Sequence, residues 1–367
     1  MQRQNAATMR CSERLAFLGE LTGAVRHEGI GACHAVELAL QGHPGGLGLT
    51  VFDDGGDPQR ALANARAAIA DAGIVAAIAH YSSTSALACV EVYRAAGLPV
   101  VIWGAGQDGI TAIDPRRFVF RIMYSWALVM QRAAAWTTRH GRRRLALVFE
   151  DSVFGRAHAA AFRVAADKHA IAIAADLPVT GAQADFSGTI AAIDAARVDA
   201  TMILIPPEGW HRANPNAGTI LPADGVPIAV KLCRSGLSTP VQGLASLFTP
   251  ELLRIVAEGA IGFGGGAPTA MLARGPAFLV AYDNAGLNAP AAVMALYAHA
   301  AAELLAAIAQ RVGNARGAIA AALATTAGEA STIGRVTFDE TGQNVDAPST
   351  TWITRGGNLE VLEVEPG

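Results

Sequence analysis

Short, continuously apolar runs alternate with longer helix-like segments along most of this 367-residue chain. The runs "IVAAIA" at 74–79 and "PVVIW" at 99–103 have no polar face, which is typical of parallel strands covered by helices on both sides. Between the strands, Asp57 and Pro58 supply the cap and first turn of one helix, and Gly97 ends another. The alternation therefore predicts a doubly wound α/β fold.

The chain is too long for one ordinary core, and its pattern restarts once. A first strand-and-helix series runs from Leu15, and a second begins near residue 124 after "FVFRIMYSW". Ala-rich helices occupy about 275–327, and "GRVTFDETGQNV" and "STTWITRGGNLEVLE" alternate polar and apolar residues near the end. We expect two α/β units in tandem, closed by an edge hairpin.

Composition and charge exclude several classes of protein. Hydrophobic residues make up 52% of the chain, which is typical of a packed globular protein, and the formal net charge of −3 argues against nucleic acid as a partner. The most apolar helix contains His299 and Glu303, so no membrane insertion is expected. Cys11, Cys33, Cys89 and Cys233 are widely spaced, which predicts no metal site and leaves any disulfide pairing open.

Four hydroxyl residues, Ser82 to Ser85, end the apolar run of 74–79 and begin a helix-like segment. A catalytic serine needs a nearby base, and the adjacent His80 should point to the opposite face of the strand. One hydroxyl is expected to cap the helix. Because helix amino termini at the carboxyl edge of a parallel sheet attract negative charge, the cluster also predicts a pocket for a carboxylate or carbonyl oxygen.

Two further motifs have a structural and a chemical interpretation. Gly104, Gly106 and Gly109 spell G-x-G-x-x-G, but they follow a fourth strand, whereas a dinucleotide loop follows the first. A glycine turn with bare amides facing the Ser83 loop is the simpler interpretation, and no cofactor is expected. The pairs Asp53–Asp54 and Glu150–Asp151 each end a strand, where capping of the next helix is favoured over metal binding or acid–base chemistry.

An ordered set of segments resembles the solute-binding proteins of branched-chain amino acid ABC transporters. They include "FLGELTGAVRHEGIGACHAVELAL", "AIAHYSSTSA", "YRAAGLPVVIWGAG", "LVFEDSVFGRAHAAAF" and "GRVTFDETGQN". The resemblance extends from about Leu15 to Val364 and implies the type I periplasmic-binding fold, in which two doubly wound lobes are joined by a three-stranded hinge. It places 14–123 and 266–331 in lobe I, 124–265 and 332–367 in lobe II, and a poorly ordered extension at 1–13.

The resemblance also implies a ligand site. A serine after the third strand holds the ligand carboxylate in the family, and this position falls on Ser83. The next loop gives main-chain contacts, and a lobe II aromatic residue precedes a glycine, as Phe154 does here. The full set of candidate residues is Tyr81, Ser82, Ser83, Gly104, Ala105, Gly106, Phe154, Glu28, Pro206 and Trp210.

The chain departs from the amino acid binders of that family at several positions. The acidic residue that pairs with the ligand ammonium group corresponds to Ala245, the usual threonine to Gly106 and a second tyrosine to Pro206. Glu28 either replaces the missing carboxylate or faces solvent. An insertion, "EGWHRANPNAGTILPADG", is either a surface loop or brings Trp210 and its neighbours to the ligand.

The sequence therefore predicts a non-enzymatic solute-binding protein that delivers a small organic ligand to ABC permease subunits in the membrane. The ligand would be a branched-chain or related amino acid, an amide or an aromatic acid. The alternative is a cytosolic amide or amino acid sensor of the same fold, and an NAD-dependent oxidoreductase is less favoured. Periplasmic localisation follows from the resemblance, while the lack of an apolar signal segment in "MQRQNAATMRCSERLAF" is the argument for the cytoplasm.

Overall fold

The computed structural model describes residues 13–42, 46–111, 116–206, 225–292 and 294–365. Its contacts divide the chain into two units. Of the described residues, unit 1 holds those up to Met123 together with those of 268–347, and unit 2 holds those of 124–267 and 348–365. The chain thus passes between the units three times, as the three-stranded hinge implied by the resemblance requires.

Unit 1 is built on a five-stranded sheet in which every neighbouring pair is parallel. Its strands are β1 (Arg14–Gly19), β2 (Gly48–Asp53), β3 (Ile74–Ala79), β4 (Val100–Ile102) and β5 (Val119–Arg121), in the order β2-β1-β3-β4-β5. The first helices are α1 (Arg26–Gln41), α2 (Pro58–Ala70) and α3 (Ser83–Ala96). Every residue of β3 is buried, as the apolar run predicts.

The helix boundaries of unit 1 follow local sequence chemistry. The Asp57 carboxylate accepts hydrogen bonds from the amides of Gln59 and Arg60 at 2.7 and 2.9 Å, and Pro58 opens the first turn of α2. Gly97 ends α3 in the left-handed conformation, with φ of 64°. These three sequence predictions are confirmed.

Unit 2 contains a seven-stranded sheet of mixed direction. Its first strands and helices are α4 (Trp126–Arg139), β6 (Arg144–Glu150), α5 (Val153–Lys168), β7 (Ala172–Val179), α6 (Ser187–Ala196), β8 (Ala200–Leu204), α7 (Ile228–Arg234), β9 (Val241–Leu244), α8 (Pro250–Leu253) and β10 (Ile261–Gly265). These five strands lie in the order β10-β9-β8-β6-β7. The antiparallel hairpin of β13 (Ser349–Arg355) and β14 (Asn358–Glu365) forms one edge, so this part of the predicted hairpin is confirmed.

The chain returns to unit 1 for its Ala-rich helices. These are α9 (Gly275–Asn284), α10 (Ala295–Val312) and α11 (Arg316–Ala324), and a two-stranded sheet of β11 (Glu329–Ser331) and β12 (Gly334–Val336) follows. Helix α10 packs along α1, and twelve of its residues are buried. Alanine on facing helices allows such close packing because little side-chain volume separates the backbones.

Two sequence predictions about the last hundred residues were wrong. Residues 332–347 belong with unit 1, whereas the sequence placed them in lobe II. The ring centroids of Phe120 and Phe338 lie 5.1 Å apart, and Gln343 pairs with Arg121 in an isolated parallel β-bridge. Contacts between residues distant in sequence therefore hold this segment against β5. The segment "GRVTFDETGQNV" accordingly pairs β12 with β11 and takes no part in the edge hairpin.

Candidate functional site

The loops that leave β1, β2, β3 and β4 of unit 1 lie at one edge of its sheet, here called the carboxyl edge of unit 1. Parallel strands place their carboxyl ends together, and ligands of open α/β sheets bind at such edges. The amide of Gln107, in the loop after β4, donates to Ser83 Oγ over 3.4 Å. The structure therefore brings the predicted Ser83 loop next to the predicted Gly104–Gly106 loop.

Gly104 permits a close approach between these two loops. A Cβ at this position would lie 2.8 Å from Tyr81 Cα and 2.9 Å from its ring, which real side chains do not tolerate. The Tyr81 ring lies 5.7 Å from the ring of Trp103, which stacks on Phe17 at the same spacing. The glycine turn predicted from "WGAGQDG" is confirmed in this respect.

The G-x-G-x-x-G spacing does not introduce a dinucleotide-binding helix. Gly109 lies in a single 3₁₀ turn, Asp108–Ile110, whereas a dinucleotide loop opens a long helix whose amino terminus holds the pyrophosphate. Ala105 is buried, with 1% of its surface exposed, and its carbonyl oxygen points to Arg121 Nη1 at 3.4 Å. The motif therefore builds a loop at the sheet edge.

The amino terminus of α3 is not capped by a side chain. Ser82 occupies the N-cap position, but its hydroxyl makes a 2.7 Å hydrogen bond with Thr84 Oγ1 and accepts no backbone amide. The prediction that one hydroxyl caps this helix was therefore wrong. Since a helix leaves its first-turn N–H groups without intrahelical partners, the end of α3 keeps its capacity to bind an anion.

Glu28 lies in the first turn of α1 and is 8% exposed. Its Oε2 accepts a 3.2 Å hydrogen bond from the amide of Met294, at the N-cap of α10. Burial, together with the nearby carboxylates of Glu28 and Glu20, raises the pKa of Tyr81 to about 12. Glu28 thus stabilises a helix start within unit 1 and also adds negative charge beside Tyr81.

Asp53 connects two loops of unit 1. The sequence predicts that the pair Asp53–Asp54 caps the next helix, but Asp57 caps α2, so this prediction was wrong. Its Oδ1 accepts from the amides of Leu21 and Thr22 at 2.9 and 3.1 Å, and its Oδ2 accepts from the Thr22 hydroxyl at 2.7 Å. Burial opposes its ionised form, but the hydrogen bonds from Thr22, Leu21 and Gly55 outweigh it and lower its pKa to about 2. This carboxylate therefore joins the loops after β1 and β2.

A buried chain of polar side chains lies beneath the Ser83 loop. His80 Nδ1 is 3.3 Å from Asp54 Oδ2, and its Nε2 is 3.0 Å from the Tyr93 hydroxyl. All three residues are at most 2% exposed. The histidine is therefore engaged inside the core, which agrees with the expectation that it would not activate Ser83. No local sequence signal connects these three residues, because they lie up to 39 positions apart.

Arg121 is a further residue at this edge that is not among the candidates predicted from the sequence. It ends β5, is 1% exposed and donates through Nη1 to the carbonyl oxygen of Gln107 at 2.6 Å. The signal available in the sequence was a lone arginine after the apolar run "FVF". Buried arginines of this kind require acceptors, and the sequence alone does not reveal where those acceptors lie.

In unit 2, Phe154 lies in the first turn of α5 and is 6% exposed. Its ring stacks on His158 at 4.0 Å between centroids, and Trp126 lies 5.5 Å from it. Burial lowers the pKa of His158 to about 4, although its hydrogen bond with the Phe154 carbonyl opposes this shift. His158 is therefore neutral at physiological pH, while Phe154 belongs to the unit 2 core and Trp126 packs against that core.

The other candidates in unit 2 are distributed along its sheet. Pro206 is buried and follows β8, while Ala245 opens a 3₁₀ turn after β9. The predicted ligand contact Trp210, with the rest of 207–224, lies outside the described residues.

Glu150 ends β6 and is 3% exposed. Burial raises its pKa, and a hydrogen bond from Ser152 opposes this effect. Ser152, not Glu150, caps α5 by accepting from the Gly155 amide at 3.2 Å, so the predicted capping role of the Glu150–Asp151 pair was wrong. The amino terminus of α5 is therefore closed by its own side chain, unlike that of α3.

Within the described ranges, no group of three or more His, Cys, Asp or Glu side chains is arranged to hold a metal ion. Among the helices of those ranges, none combines the length and apolarity needed to cross a bilayer. Cys33, Cys89 and Cys233 are free thiols, and burial raises the pKa of the first two to about 12 and that of Cys233 to about 11.

Two α/β units with largely parallel sheets, each completed by a later part of the chain, define the type I class of periplasmic binding proteins. Residues 13–356 match the family described as periplasmic binding protein, and the chain belongs to this family. The resemblance seen in the sequence and the predicted fold class are confirmed. A search of curated proteins found no match.

Solved structures share this fold at low sequence identity. A putative branched-chain amino acid ABC transporter protein from Rhodospirillum rubrum is 22% identical, with a TM-score of 0.74 over 95% of this chain and 100% of that one. A substrate-binding protein from Desulfitobacterium hafniense in complex with Leu is 20% identical, with a TM-score of 0.74 over 95% and 100%. A solute-binding protein from R. palustris in complex with benzoate is 20% identical, with a TM-score of 0.67 over 96% of each chain.

Proposed function

We propose that this chain is the solute-binding component of an ABC importer and that it binds a small organic carboxylate at the carboxyl edge of unit 1. The observation that carries the proposal is the contact between Ser83 Oγ and the Gln107 amide, next to the uncapped amino terminus of α3. A serine hydroxyl and free first-turn amides can donate together to one carboxylate. The site would thus act by binding, without a nucleophile or a base.

The ligand class is supported by chemistry that the similar structures share. One of them binds Leu and another benzoate, and both of these molecules carry a carboxylate. In this chain, the partly buried Tyr81 ring lies 5.7 Å from the buried Trp103 ring where these loops meet, and Glu28 places negative charge beside Tyr81. We therefore propose branched-chain or related amino acids and aromatic acids as the first ligands to test, with amides as the uncharged comparison.

The importer role also implies permease subunits as partners and a periplasmic location. Both belong to this proposal, and both follow from the family to which the chain belongs. A sensor of the same fold would bind the same chemistry, so ligand binding alone does not separate the two roles. Recovery of the chain from a periplasmic extract, and restored uptake of the bound solute by a strain that expresses it with its permease, would support import.

A thermal-shift screen tests the binding proposal. L-Leucine, L-isoleucine, benzoate, 4-hydroxybenzoate and their primary amides would be compared at equal concentrations. Since a ligand that binds the native state stabilises it by mass action, at least one carboxylate should raise the melting temperature more than its amide does. Equal shifts for acid and amide would contradict carboxylate recognition, and no shift with any compound would contradict this ligand class.

A further inference from the structure

We infer that Arg121 is a positioning residue that fixes the ligand loop Ala105–Gln107 and connects it to two segments through which the chain enters unit 2. The inference rests on the proposed function, because it assigns the geometry of that binding site to a residue outside it. Arg121 is 1% exposed and is offered here as a support for the loop, not as a ligand contact.

The side chain of Arg121 holds the loop through its main chain. Nη1 donates to the carbonyl oxygen of Gln107 at 2.6 Å and lies 3.4 Å from that of Ala105, while Nη2 donates to Thr111 Oγ1 at 3.0 Å. The amide of Gln107 donates in turn to Ser83 Oγ. One residue, Gln107, is therefore bonded to Arg121 through its carbonyl group and to the candidate ligand residue Ser83 through its amide.

The main chain of Arg121 is bonded to a different part of unit 1. Its amide donates to the Gly342 carbonyl at 2.8 Å, and its carbonyl accepts from the Asn344 amide at 2.9 Å. Its Nε also donates to Gln343 Oε1 at 2.6 Å, and Gln343 Nε2 donates to the Met123 carbonyl at 2.8 Å. The segment 342–344 is thereby bonded both to the Arg121 guanidinium and to Met123, two residues after Arg121.

These contacts lie just before two of the three passages between the units. Met123 is the last residue of unit 1 before the chain enters unit 2, and Ala347 is the last before it enters unit 2 again. Asn344 Nδ2 donates to the Ile122 carbonyl at 2.8 Å, which joins the two segments a second time. A displacement of the ligand loop would therefore be transmitted to both segments through one buried guanidinium.

The chemistry of arginine suits this role better than that of lysine. All the acceptors named for the guanidinium are uncharged and lie in several directions, which matches the fixed fork of arginine donors. Burial lowers the pKa of Arg121 to about 10, so the group remains protonated at neutral pH. Lysine would keep the charge, but one ammonium group cannot reach Gln107, Thr111 and Gln343 together.

Arg316 supplies a matched control. Its guanidinium also binds main-chain carbonyls in unit 1, those of Ile69, Asp71 and Ile74, at 2.9 to 3.2 Å. Ile74 begins β3, so Arg316 lies at the end of that strand opposite to the Ser83 loop. Arg316→Lys removes the same kind of interaction from the same unit without touching the ligand loop.

Hydrogen exchange followed by mass spectrometry tests the positioning role on the full chain without ligand. Arg121→Lys should raise exchange at least tenfold in peptides covering 105–111 and also in peptides covering 342–347. Arg316→Lys should leave both regions as in the parent protein. Unchanged exchange at 105–111 in Arg121→Lys would overturn the inference, and faster exchange at 105–111 alone would overturn its connection to the second segment.

A binding measurement separates this inference from the proposed function. Titration calorimetry with L-leucine and with benzoate would be run on the parent, Arg121→Lys and Arg316→Lys proteins. At least tenfold weaker binding in Arg121→Lys alone supports the inference, and equal affinity in all three overturns its functional part. If the parent binds neither probe nor any compound of the thermal screen, the proposed function fails, while hydrogen exchange still decides whether Arg121 positions the loop.

Discussion

Gly29 in α1 lies directly against the main chain of Glu20 at the end of β1, so closely that a Cβ on the glycine would overlap the Glu20 carbonyl oxygen. The same relationship recurs in unit 2, where a Cβ on Gly155 in α5 would overlap the carbonyl oxygen of Glu150. Each glycine thus allows the helix that follows its unit's first strand to pack on the end of that strand.

Alanine at either glycine should destabilise the protein. We expect Gly29→Ala and Gly155→Ala each to lower the free energy of unfolding by about 1–3 kcal/mol, because backbone must move to admit the methyl group. Gly317→Ala in unit 1 and Gly188→Ala in unit 2 are matched controls, since both are helical and no heavy atom lies within 4 Å of the added carbon.

Urea unfolding curves would measure these four variants. The controls should be stabilised by up to about 1 kcal/mol, because alanine is the better helix former. If the two test variants were stabilised as much as the controls, the close packing on Glu20 and Glu150 would be refuted.

Ser83→Ala should weaken binding of the carboxylate found by the thermal screen. Loss of a hydrogen bond to a charged group costs roughly 1.5–3 kcal/mol, which is about tenfold to a hundredfold in the dissociation constant. Ser85→Ala is the control in the same helical turn, because Ser85 is fully buried and its hydroxyl has no hydrogen-bond partner in the described part of the chain. Titration calorimetry should show weaker binding only for Ser83→Ala, and equal affinities would count against the assignment of this serine.

Tyr93→Phe should destabilise unit 1, because it leaves His80 Nε2 buried without its 3.0 Å partner. The expected cost is about 1–3 kcal/mol. Tyr282→Phe is the comparison, since Tyr282 is also buried in unit 1, but its hydroxyl lies 3.4–3.5 Å from Gly31, Pro290 and His34. Bonds of that length are weak, so Tyr282→Phe should cost less than Tyr93→Phe in the same urea assay. The reverse order would refute the role of the buried chain.

Glu303 should make stability depend on pH in the acid range. Burial opposes its ionised form, but hydrogen bonds with His299 and Thr332 and the charges of His299 and Arg274 outweigh it and lower its pKa from 4.5 to about 2. The stabilisation is therefore complete above about pH 4.5 and is lost as the pH falls through about 2. A shift of this size corresponds to about 3 kcal/mol.

Glu303→Gln tests this dependence. The variant should lose on the order of 3 kcal/mol at pH 7, and its stability should change less than that of the parent between pH 4.5 and 2.5. Glu340→Gln, at an exposed position of unit 1, should follow the parent curve. Parallel curves for the parent and Glu303→Gln would show that this carboxylate does not stabilise the fold through its ionised form.

The fold class, most strands and helices, and the two loops that meet at the carboxyl edge of unit 1 could all be predicted from the amino-acid sequence. Apolar periodicity, caps and glycine stops are local signals, so the start of α2 at Pro58 and the end of α3 before Gly97 could be predicted. The grouping of Ser83 with Gly104 followed because parallel strands always bring their carboxyl ends to one edge.

The side-chain contacts between these elements, in contrast, became known only from the folded chain. Ser82 bonds to Thr84 and leaves α3 uncapped, Asp54 reaches His80, and Arg121 holds a loop 14 residues before it and a segment more than 220 residues after it. Local propensity carries no information about such contacts, since they depend on where separate strands end in space. For the same reason the assignment of 332–347 to unit 1 came from its packing on β5 and not from its pattern.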